Sequence, residues 1–249
     1  MNKTGIIIQA RTGSTRLPNK MLLSFFDEKT ILDIIISRIN KQQFNIPIII
    51  ATSKNSKDKE IVKIAERNNA SYYCGDENDV LNRFICAANF FSLDSVIRIC
   101  ADNPFLSMNY LKKLIDYKNI NSSDYISFIT KDGTPSIKTH FGFWAEYITL
   151  DAMKRIQSLT NNTLYHEHVT NFAYTNPEIF SLYFLEIDDF VENSGIRLTV
   201  DTIDDFNNAK NIYKLLSENK KEMEPQNIIP LISEAMKINM KNQILSNSK

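Results

Sequence analysis

The chain has 249 residues, of which 43% are hydrophobic and 23% are charged. These values are typical of a soluble globular protein, and the length is near the upper limit for one hydrophobic core, so we predict a single domain over residues 1–249. The 29 basic and 29 acidic residues give a net charge of +0, which argues against a nucleic-acid partner, because proteins that coat nucleic acid carry a basic excess.

Two features of the sequence favour a cytoplasmic protein. The apolar run near the N-terminus contains only Ile6, Ile7 and Ile8 before polar residues follow, which is too short for a secretion signal or a membrane span. The three cysteines are odd in number and lack the spacing of a zinc site. A reducing compartment fits better than a disulfide framework, and we predict no membrane partner.

Through residue 128, short β-branched runs alternate with amphipathic segments of helical period. The runs predict strands at residues 5–10, 47–51, 70–74, 95–100 and 124–128. The amphipathic segments predict helices at residues 30–40, 58–68, 78–91 and 108–117. This alternation builds a mostly parallel sheet with helices on both faces. We therefore predict an α/β fold, a Rossmann-like three-layer sandwich that binds ligands beyond the carboxyl ends of its strands.

The second half of the chain is less regular, and we predict that its part of the sheet is partly antiparallel. Apolar runs predict strands at residues 138–148, 180–187 and 196–200. Helical patterns occupy residues 150–158, 202–216 and 227–238, with a mixed segment at 166–174. The polar tail at residues 239–249 is expected to fray.

The strongest local signal is the loop that follows the first predicted strand. Arg11, Arg16 and Lys20 supply positive charge, and Gly13 allows the backbone to turn tightly and approach an anion. Successive backbone N–H groups in such a turn form an anion-binding nest, so the loop fits a triphosphate. On residue types alone, a solvated surface loop is an equal alternative, because the run matches neither the P-loop nor the dinucleotide-binding glycine pattern.

Five segments, in the same order, resemble the cytidylyltransferases of the spore-coat-polysaccharide type, relatives of the enzymes that activate KDO and sialic acids. The segments are QARTGSTRLPNKML at 9–22, GDENDVLNRF at 75–84, RICADNPFLS at 98–107, YHEHVTNF at 165–172 and RLTVDTIDDF at 197–206. The resemblance implies a nucleotidyltransferase fold, also called GT-A-like, and a homodimer. It further implies transfer of CMP from CTP, with Mg²⁺, to a sugar acid, sugar phosphate or polyol phosphate. Pyrophosphate would be released, and the product would serve the synthesis of surface polysaccharide or glycoconjugate precursors.

Two aspartates are the candidate metal ligands. Asp102 and Asp201 each follow a predicted strand, so both would project from the carboxyl edge of the sheet. Mg²⁺ typically takes one or two carboxylates together with substrate phosphates and water. Each aspartate could instead cap the helix that follows it, and the resemblance favours metal ligation. By the same resemblance, Arg16 and Lys20 act with Asp102 in catalysis.

The resemblance also places residues of the second segment near the base or ribose, and Thr52 joins them because it follows the second predicted strand. The predicted nucleotide-binding residues are Gln9, Ala10, Arg11, Gly13, Ser14, Thr15, Arg16, Lys20, Thr52, Asp79, Leu81 and Arg83. On residue types alone, Asp76 or Asn78 could simply cap the helix at 78–91, and Arg83 could be a solvated helix residue.

The acceptor side is predicted to include Lys138, His168 and Arg197, because an acidic sugar or a phosphate needs cationic contacts. His166, two positions before His168, could instead be the exposed histidine. The segment TPSIKTHFGFW at 134–144 departs from the family pattern, where a Gly-Leu-Asp-like stretch commonly stands. The usual acceptor is therefore not carried over to this chain.

Two other functions remain open from the sequence. A glycosyltransferase of related architecture would also place a metal-binding carboxylate at a strand end, although neither acidic run at 76–79 or 101–104 forms a clean DxD motif. A non-catalytic nucleotide-binding protein would bind nucleotide tightly without releasing pyrophosphate.

Overall fold

Seven strands within residues 3–247, the part that this computed structural model describes, form one sheet. In chain order they are β1 (Thr4–Gln9), β2 (Ile48–Ser53), β3 (Ser71–Gly75), β4 (Ser95–Cys100), β5 (Tyr125–Ile129), β6 (Glu146–Thr149) and β7 (Leu182–Glu186). Across the sheet the order is β3-β2-β1-β4-β6-β5-β7. Only β6 runs antiparallel to its neighbours, β4 and β5. The predicted α/β, mostly parallel, partly antiparallel sandwich is confirmed.

Helices connect the strands and close the second half. They are α1 (Ile31–Lys41), α2 (Lys59–Arg67), α3 (Val80–Phe90), α4 (Met108–Ile120), α5 (Leu150–Leu159), α6 (Thr163–Glu167), α7 (Asn171–Thr175), α8 (Asp189–Glu192), α9 (Ile203–Glu218), α10 (Pro225–Ile228) and α11 (Glu234–Asn247). None of the helices in the described range is long and apolar enough to cross a membrane.

Alternating residues of the central strands pack in two hydrophobic cores, one on each face of the sheet. Ile6 and Ile8 of β1 pack in the core that includes buried residues of α1, α2, α4 and α9. Ile7, between them, packs in the opposite core with residues of α3 and α5. The long isoleucine run at the N-terminus is therefore apolar because both faces of its strand are covered.

Local capping fixes where the site-bearing helices begin. Thr30 caps α1 and Thr202 caps α9, each in a capping box with the aspartate three residues later, Asp33 and Asp205. Ser107 caps α4 by accepting a hydrogen bond from the Tyr110 N–H. These caps set the orientation of the loops that precede α4 and α9.

Three predictions for the second half are corrected by the structure. Residues 196–200 form no strand: this buried segment donates its Leu198 and Val200 N–H groups to the carbonyls of His140 and Asp102, which lie in loops. The strand predicted at 138–148 shortens to β6, because a 3₁₀ turn and irregular backbone precede it. The helix predicted at 227–238 is interrupted around Pro230, which lacks a backbone donor. The tail is helical to residue 247, and residues 248–249 lie outside the described part; the fraying of the tail stays a prediction.

Candidate functional site

A cavity of about 540 Å³ opens at the carboxyl ends of β1 and β4. Most of the first-loop residues that the sequence singles out line it, together with Asp102 and two of the three predicted acceptor contacts: Gln9, Ala10, Arg11, Gly13, Ser14, Thr15, Arg16, Lys20, Asp102, Lys138 and His168. This is the position at which parallel α/β sheets bind ligands. The structure thus brings residues that are up to 159 positions apart to one cleft.

A buried carboxylate anchors the first loop. Asp58, which is 1% exposed, accepts hydrogen bonds from the Thr12 N–H at 2.8 Å and from the Thr12 hydroxyl at 2.6 Å. The same carboxylate accepts from the backbone and hydroxyl of Ser53, at the end of β2. Burial alone would raise the pKa of Asp58, but these hydrogen bonds outweigh burial and lower it. The ionised Asp58 therefore ties the loop to the neighbouring strand.

The backbone of the loop leaves donors available. Ser14 N–H and Asn19 N–H both donate to the Thr12 carbonyl. Within the described part of the chain, the N–H groups of Gly13, Thr15 and Arg16 have no acceptor within hydrogen-bond distance. Gly13 does not adopt a left-handed φ; a Cβ there would lie 3.3 Å from Oε1 of Glu77. Unpaired N–H groups in a turn are the features that bind phosphate oxygens.

Two cations of the loop meet two carboxylates beside the cavity. Nη2 of Arg16 lies 2.7 Å from Oδ1 of Asp201. Nζ of Lys20 donates to the Val200 carbonyl at 2.5 Å and lies 3.4 Å from Oδ2 of Asp102. The Lys20 side chain is only 9% exposed, whereas that of Arg16 is 52% exposed. Lys20 is therefore held in place, whereas the Arg16 side chain is accessible from the cavity.

The structure contradicts Arg197 as an acceptor contact. Its side chain is 0% exposed, and its nitrogens donate to Asp205 at 2.9 Å, to Oδ2 of Asp201 at 2.8 Å and to Nδ1 of His140 at 2.7 Å. Burial alone would lower the pKa of Arg197, but the two aspartates raise it. Because every arm of the guanidinium is engaged inside the protein, Arg197 orients Asp201 and does not touch a ligand.

Asp102 and Asp201 form a donor set that fits a hard cation. Asp102 is one-third exposed, and within residues 3–247 Lys20 is the one side chain paired with its carboxylate. No cluster of three or more His, Cys, Asp or Glu side chains with metal-binding geometry occurs in residues 3–247. Asp102 lines the cavity, and Asp201 lines a second cavity beside it. Mg²⁺ usually takes one or two carboxylates from a protein, while phosphates and water supply its other ligands. The residues present therefore fit such an ion.

Four predicted nucleotide-binding residues do not reach the cavity. Thr52, Leu81 and Arg83 are each 0% exposed. Leu81 packs in the core, and Nη1 of Arg83 donates to the carbonyls of Asp76 and Glu77. Asp79 caps α3 and pairs with Nδ1 of His166 at 2.9 Å. They lie away from the cavity because their side chains face the sheet or the start of α3.

A buried network behind the cavity was not identified from the sequence. Arg98, on β4, donates to Glu146 of β6 at 2.6 Å and to Oε1 of Gln9 at 3.2 Å. Glu146 also accepts from the hydroxyls of Tyr125 and Thr170. Burial alone would lower the pKa of Arg98, yet its anionic surroundings, which include Glu146, raise it. The sequence signal was a charged residue inside an apolar strand at each of positions 98 and 146.

Two other cavity residues have altered acidity. Burial raises the pKa of the Cys100 thiol to about 11, so this thiol is protonated at neutral pH and is not a nucleophile. Partial enclosure and the Arg98 guanidinium lower the pKa of His168. His168 therefore presents a neutral imidazole to the cavity at neutral pH.

The carboxyl edge of the mostly parallel sheet carries a cationic loop opposite two aspartates. This arrangement is typical of the nucleotidyltransferase class of α/β protein. The family model described as cytidylyltransferase matches residues 5–238. The chain belongs to the cytidylyltransferase family.

Two curated relatives cover most of the chain. An uncharacterized protein of Methanocaldococcus jannaschii is 38% identical over 200 residues, which are 80% of this chain and 79% of the relative. The spore coat polysaccharide biosynthesis protein SpsF of Bacillus subtilis is 30% identical over 225 residues, 88% of this chain and 89% of the relative. The resemblance to the spore-coat type, stated from the motifs, is confirmed.

Solved structures share the fold. A cytidylyltransferase from Leptospira borgpetersenii is similar with a TM-score of 0.76 and 27% identity, over 92% of this chain and 97% of that one. A CMP:2-keto-3-deoxy-manno-octonic acid synthetase complexed with CTP gives a TM-score of 0.64 at 13% identity, over 87% and 99% of the two chains. A Mycobacterium tuberculosis protein complexed with manganese gives a TM-score of 0.58 at 14% identity, over 85% of this chain and 99% of that one. The last two similarities concern the fold.

Proposed function

We propose that this protein transfers the CMP group of CTP, with Mg²⁺, to a sugar-derived acceptor and releases pyrophosphate. The observation that carries the proposal is the juxtaposition of Arg16 and Lys20 with Asp102 and Asp201 at the carboxyl edge of the sheet. Membership of the cytidylyltransferase family supports CTP as the donor. The similarity to SpsF supports a role in the synthesis of surface polysaccharide or glycoconjugate precursors.

In this proposal the first loop binds the triphosphate. The unpaired N–H groups of Gly13, Thr15 and Arg16 contact phosphate oxygens, and Lys20 neutralises their charge from its buried position. The Arg16 guanidinium exchanges Asp201 for the leaving phosphates. Both cations act by position and charge, which is how phosphoryl-type transfers are mainly accelerated.

Asp102 and Asp201 would hold the ion in this site. When bound, Mg²⁺ supplies charge neutralisation at the oxygens of the reacting phosphate. A hydroxyl or phosphate oxygen of the acceptor attacks the α-phosphorus, the bond to the β-phosphate oxygen breaks, and pyrophosphate carries away the leaving electron pair. A hydroxyl acceptor also releases its proton to the solvent. Arg197 keeps Asp201 oriented throughout, because its hydrogen bonds to Asp201 and Asp205 are buried.

The decisive experiment measures pyrophosphate release from each of the four ribonucleoside triphosphates with Mg²⁺. The acceptors are sugar acids, sugar phosphates and polyol phosphates, added one at a time. We expect acceptor-dependent release with CTP, which Asp102→Ala abolishes. Release of a nucleoside diphosphate from a nucleotide sugar would instead support a glycosyltransferase. Tight CTP binding without pyrophosphate release from any acceptor would support a non-catalytic nucleotide-binding protein.

We also propose that the chain acts as a single nucleotidyltransferase domain and as a homodimer in the cytoplasm. The resemblance to the family's motifs supports self-association through the second half of the chain. Sedimentation equilibrium should give twice the chain mass of 28.7 kDa. A single species at the chain mass over the working concentration range would contradict the dimer.

A further inference from the structure

Gln9 is the last residue of β1, and it lines the cavity of about 540 Å³ directly before the first loop. Oε1 of its carboxamide accepts a hydrogen bond from Nη2 of Arg98 at 3.2 Å. Chemistry fixes which carboxamide atom faces Arg98, because a guanidinium can only donate and must therefore meet the oxygen. The NH₂ group of Gln9 thus points away from Arg98.

The NH₂ group of Gln9 has no partner within the described part of the protein. Oε1 makes the one side-chain hydrogen bond of this residue in residues 3–247. Nε2 is not among the enclosed polar atoms of that range that lack a partner, and Gln9 is half-buried. The nitrogen therefore keeps accessible surface. Because the residue lines the cavity, its two N–H donors are available to a ligand there.

The buried network behind Gln9 holds its carboxamide in one orientation. Arg98 is 5% exposed, and its Nη1 donates to Glu146 at 2.6 Å. Glu146 is 2% exposed and also accepts from the Tyr125 hydroxyl at 2.5 Å and from the Thr170 hydroxyl at 3.0 Å. A carboxylate with three buried donors holds the guanidinium in place. The donors of Gln9 are therefore preorganised before a ligand binds.

The charges around the cavity favour an anionic ligand. Apart from Arg98, which Glu146 neutralises, its lining contains four cations and two carboxylates: Arg11, Arg16, Lys20, Lys138, Asp102 and Glu167. Lys138 forms no ion pair within residues 3–247, and its ammonium lies over the ring of Tyr174 at 5.4 Å. The NH₂ group of Gln9 fits the same kind of ligand, because phosphate and carboxylate oxygens only accept hydrogen bonds.

We propose that Gln9 is a specificity-determining residue whose fixed NH₂ group donates to an anionic oxygen of a bound substrate. Arg98 and Glu146 are positioning residues that act through Gln9. The oxygen belongs to a phosphate of the nucleotide or to the acidic group of the acceptor, which share this chemistry. The inference rests on the proposed function, and it gives one task to residues of three neighbouring strands, β1, β4 and β6.

Two substitutions of Gln9 separate this role from a purely structural one. Gln9→Glu keeps an oxygen for Arg98 but replaces the NH₂ donor with a second, negatively charged acceptor. Gln9→Met has a similar length and offers no hydrogen bond to Arg98 or to a ligand. If Gln9 only holds Arg98, the glutamate is the milder change. If Gln9 donates to an anion, the glutamate is the more harmful one, because it repels the ligand.

Two constants are measured for each variant. The Kd of CTP comes from calorimetry without acceptor, and the KM of the active acceptor comes from pyrophosphate release at saturating CTP. We expect Gln9→Met to raise one of them about tenfold, the loss of one hydrogen bond to a charged group, and Gln9→Glu to raise the same constant about tenfold further. A higher Kd assigns the donor to a nucleotide phosphate, and a higher acceptor KM alone assigns it to the acceptor.

Gln226→Glu, the same chemical change at an exposed residue that does not line the cavity, is the matched control and should change neither constant. Wild-type constants in both Gln9 variants, or a larger effect of Gln9→Met than of Gln9→Glu, would overturn the inference. A wild-type protein that neither binds CTP nor releases pyrophosphate contradicts the proposed function, and the inference falls with it. An active wild type with unchanged Gln9 variants counts against the role of Gln9 alone.

Arg98→Lys tests the positioning role. Lysine keeps the positive charge beside Glu146, but its single ammonium lacks the planar fork that reaches Glu146 and Gln9 together. We expect the same constant to rise about as much as in Gln9→Met. The double variant should be no weaker than the single variants, because Arg98 acts through Gln9. Effects that add in the double variant would show that Arg98 acts independently and would overturn the positioning assignment.

Discussion

At the scale of single residues, burial separates groups that act on a ligand from groups that hold other groups in place. Asp102 and Arg197 both belong to segments that resemble family motifs. Asp102 is one-third exposed in the cleft, whereas Arg197 is enclosed and fully hydrogen-bonded. A sequence gives the charge of each side chain but not its burial, so the charge of Arg197 alone favours a contact with an anionic acceptor. Only the packed structure shows that it supports Asp201.

Asp102→Asn should reduce turnover strongly without destabilising the fold. Among the described residues its carboxylate pairs with Lys20 alone, at the long distance of 3.4 Å, so little folding energy depends on it. The loss of a metal-binding charge should lower kcat by about 100-fold or more. Steady-state kinetics and thermal unfolding measure the two effects. Asp116→Asn, on the exposed face of α4, is the control and should change neither; a kcat near wild type in Asp102→Asn would contradict the assignment.

Arg197→Met should act first on stability. Removing one partner of a buried ion network leaves Asp205 without its cation, which typically costs about 3 kcal/mol or more. Urea unfolding measures the loss. Lys112→Met breaks an exposed ion pair with Asp116 and should change the free energy of unfolding by less than about 1 kcal/mol. An Arg197→Met protein as stable as wild type would show that the network is not structural.

At the scale of elements, the regular first half was predictable and the irregular second half was not. Strands β1 to β5 each coincide with a short apolar run, and the helices between them show the helical period of apolar residues. Residues 196–200 are equally apolar, but the segment bonds to the loops at His140 and Asp102 instead of joining the sheet. An apolar run reports burial, and burial is shared by strands and packed irregular backbone. The prediction that Asp201 lies near Asp102 still holds, because the hydrogen bonds of this segment to the two loops bring Asp201 to the same edge of the sheet.

The first loop provides an element-scale prediction. Asp58→Asn removes the charge that holds both Thr12 and Ser53, so the loop loses its fixed position beside β2. We expect the Kd for CTP, measured by calorimetry, to rise about tenfold through lost preorganisation. Lys57→Met, the exposed neighbour, is the control. If CTP affinity is the same in both variants, the loop does not bind the triphosphate.

Helix α1 provides a prediction about pH. Burial opposes the ionisation of Asp33, but hydrogen bonds from Arg67, Thr30 and Asn68 outweigh it and lower the pKa to about 2 from the usual 3.8. A lowered pKa stabilises the fold above the unfolded-state value, and the gain is lost as the pH falls from about 4 towards 2. Asp33→Asn should therefore cost about 2 kcal/mol at neutral pH and progressively less in acid.

Urea unfolding over this pH range tests the prediction for α1. Asp151→Asn, an exposed aspartate in the first turn of α5, serves as the control and should alter the free energy of unfolding little at any pH. A constant difference between wild type and Asp33→Asn from neutral pH down to about pH 2 would contradict the linkage to Asp33.

At the scale of the whole molecule, the site exists because the sheet brings four distant segments together. The loop after β1, the loop after β4, the α6–α7 region and the segment before α9 each contribute a cavity wall. The sequence predicts the motifs of these segments, and it also predicts that they lie at the carboxyl edge of the sheet. Their pairing could not: that Arg16 meets Asp201 and Lys20 meets Asp102 depends on packing across more than 80 residues.

The central claim is that the α-phosphate of CTP moves to an acceptor at this site. The most direct measurement follows the label from CTP carrying radioactive phosphorus at either the α or the γ position, with Mg²⁺ and the active acceptor. The account predicts that α-label appears in the acceptor product, that γ-label appears only in pyrophosphate, and that Asp102→Asn transfers neither. Transfer of the γ-label to the acceptor, or of no label while pyrophosphate is absent, would contradict it.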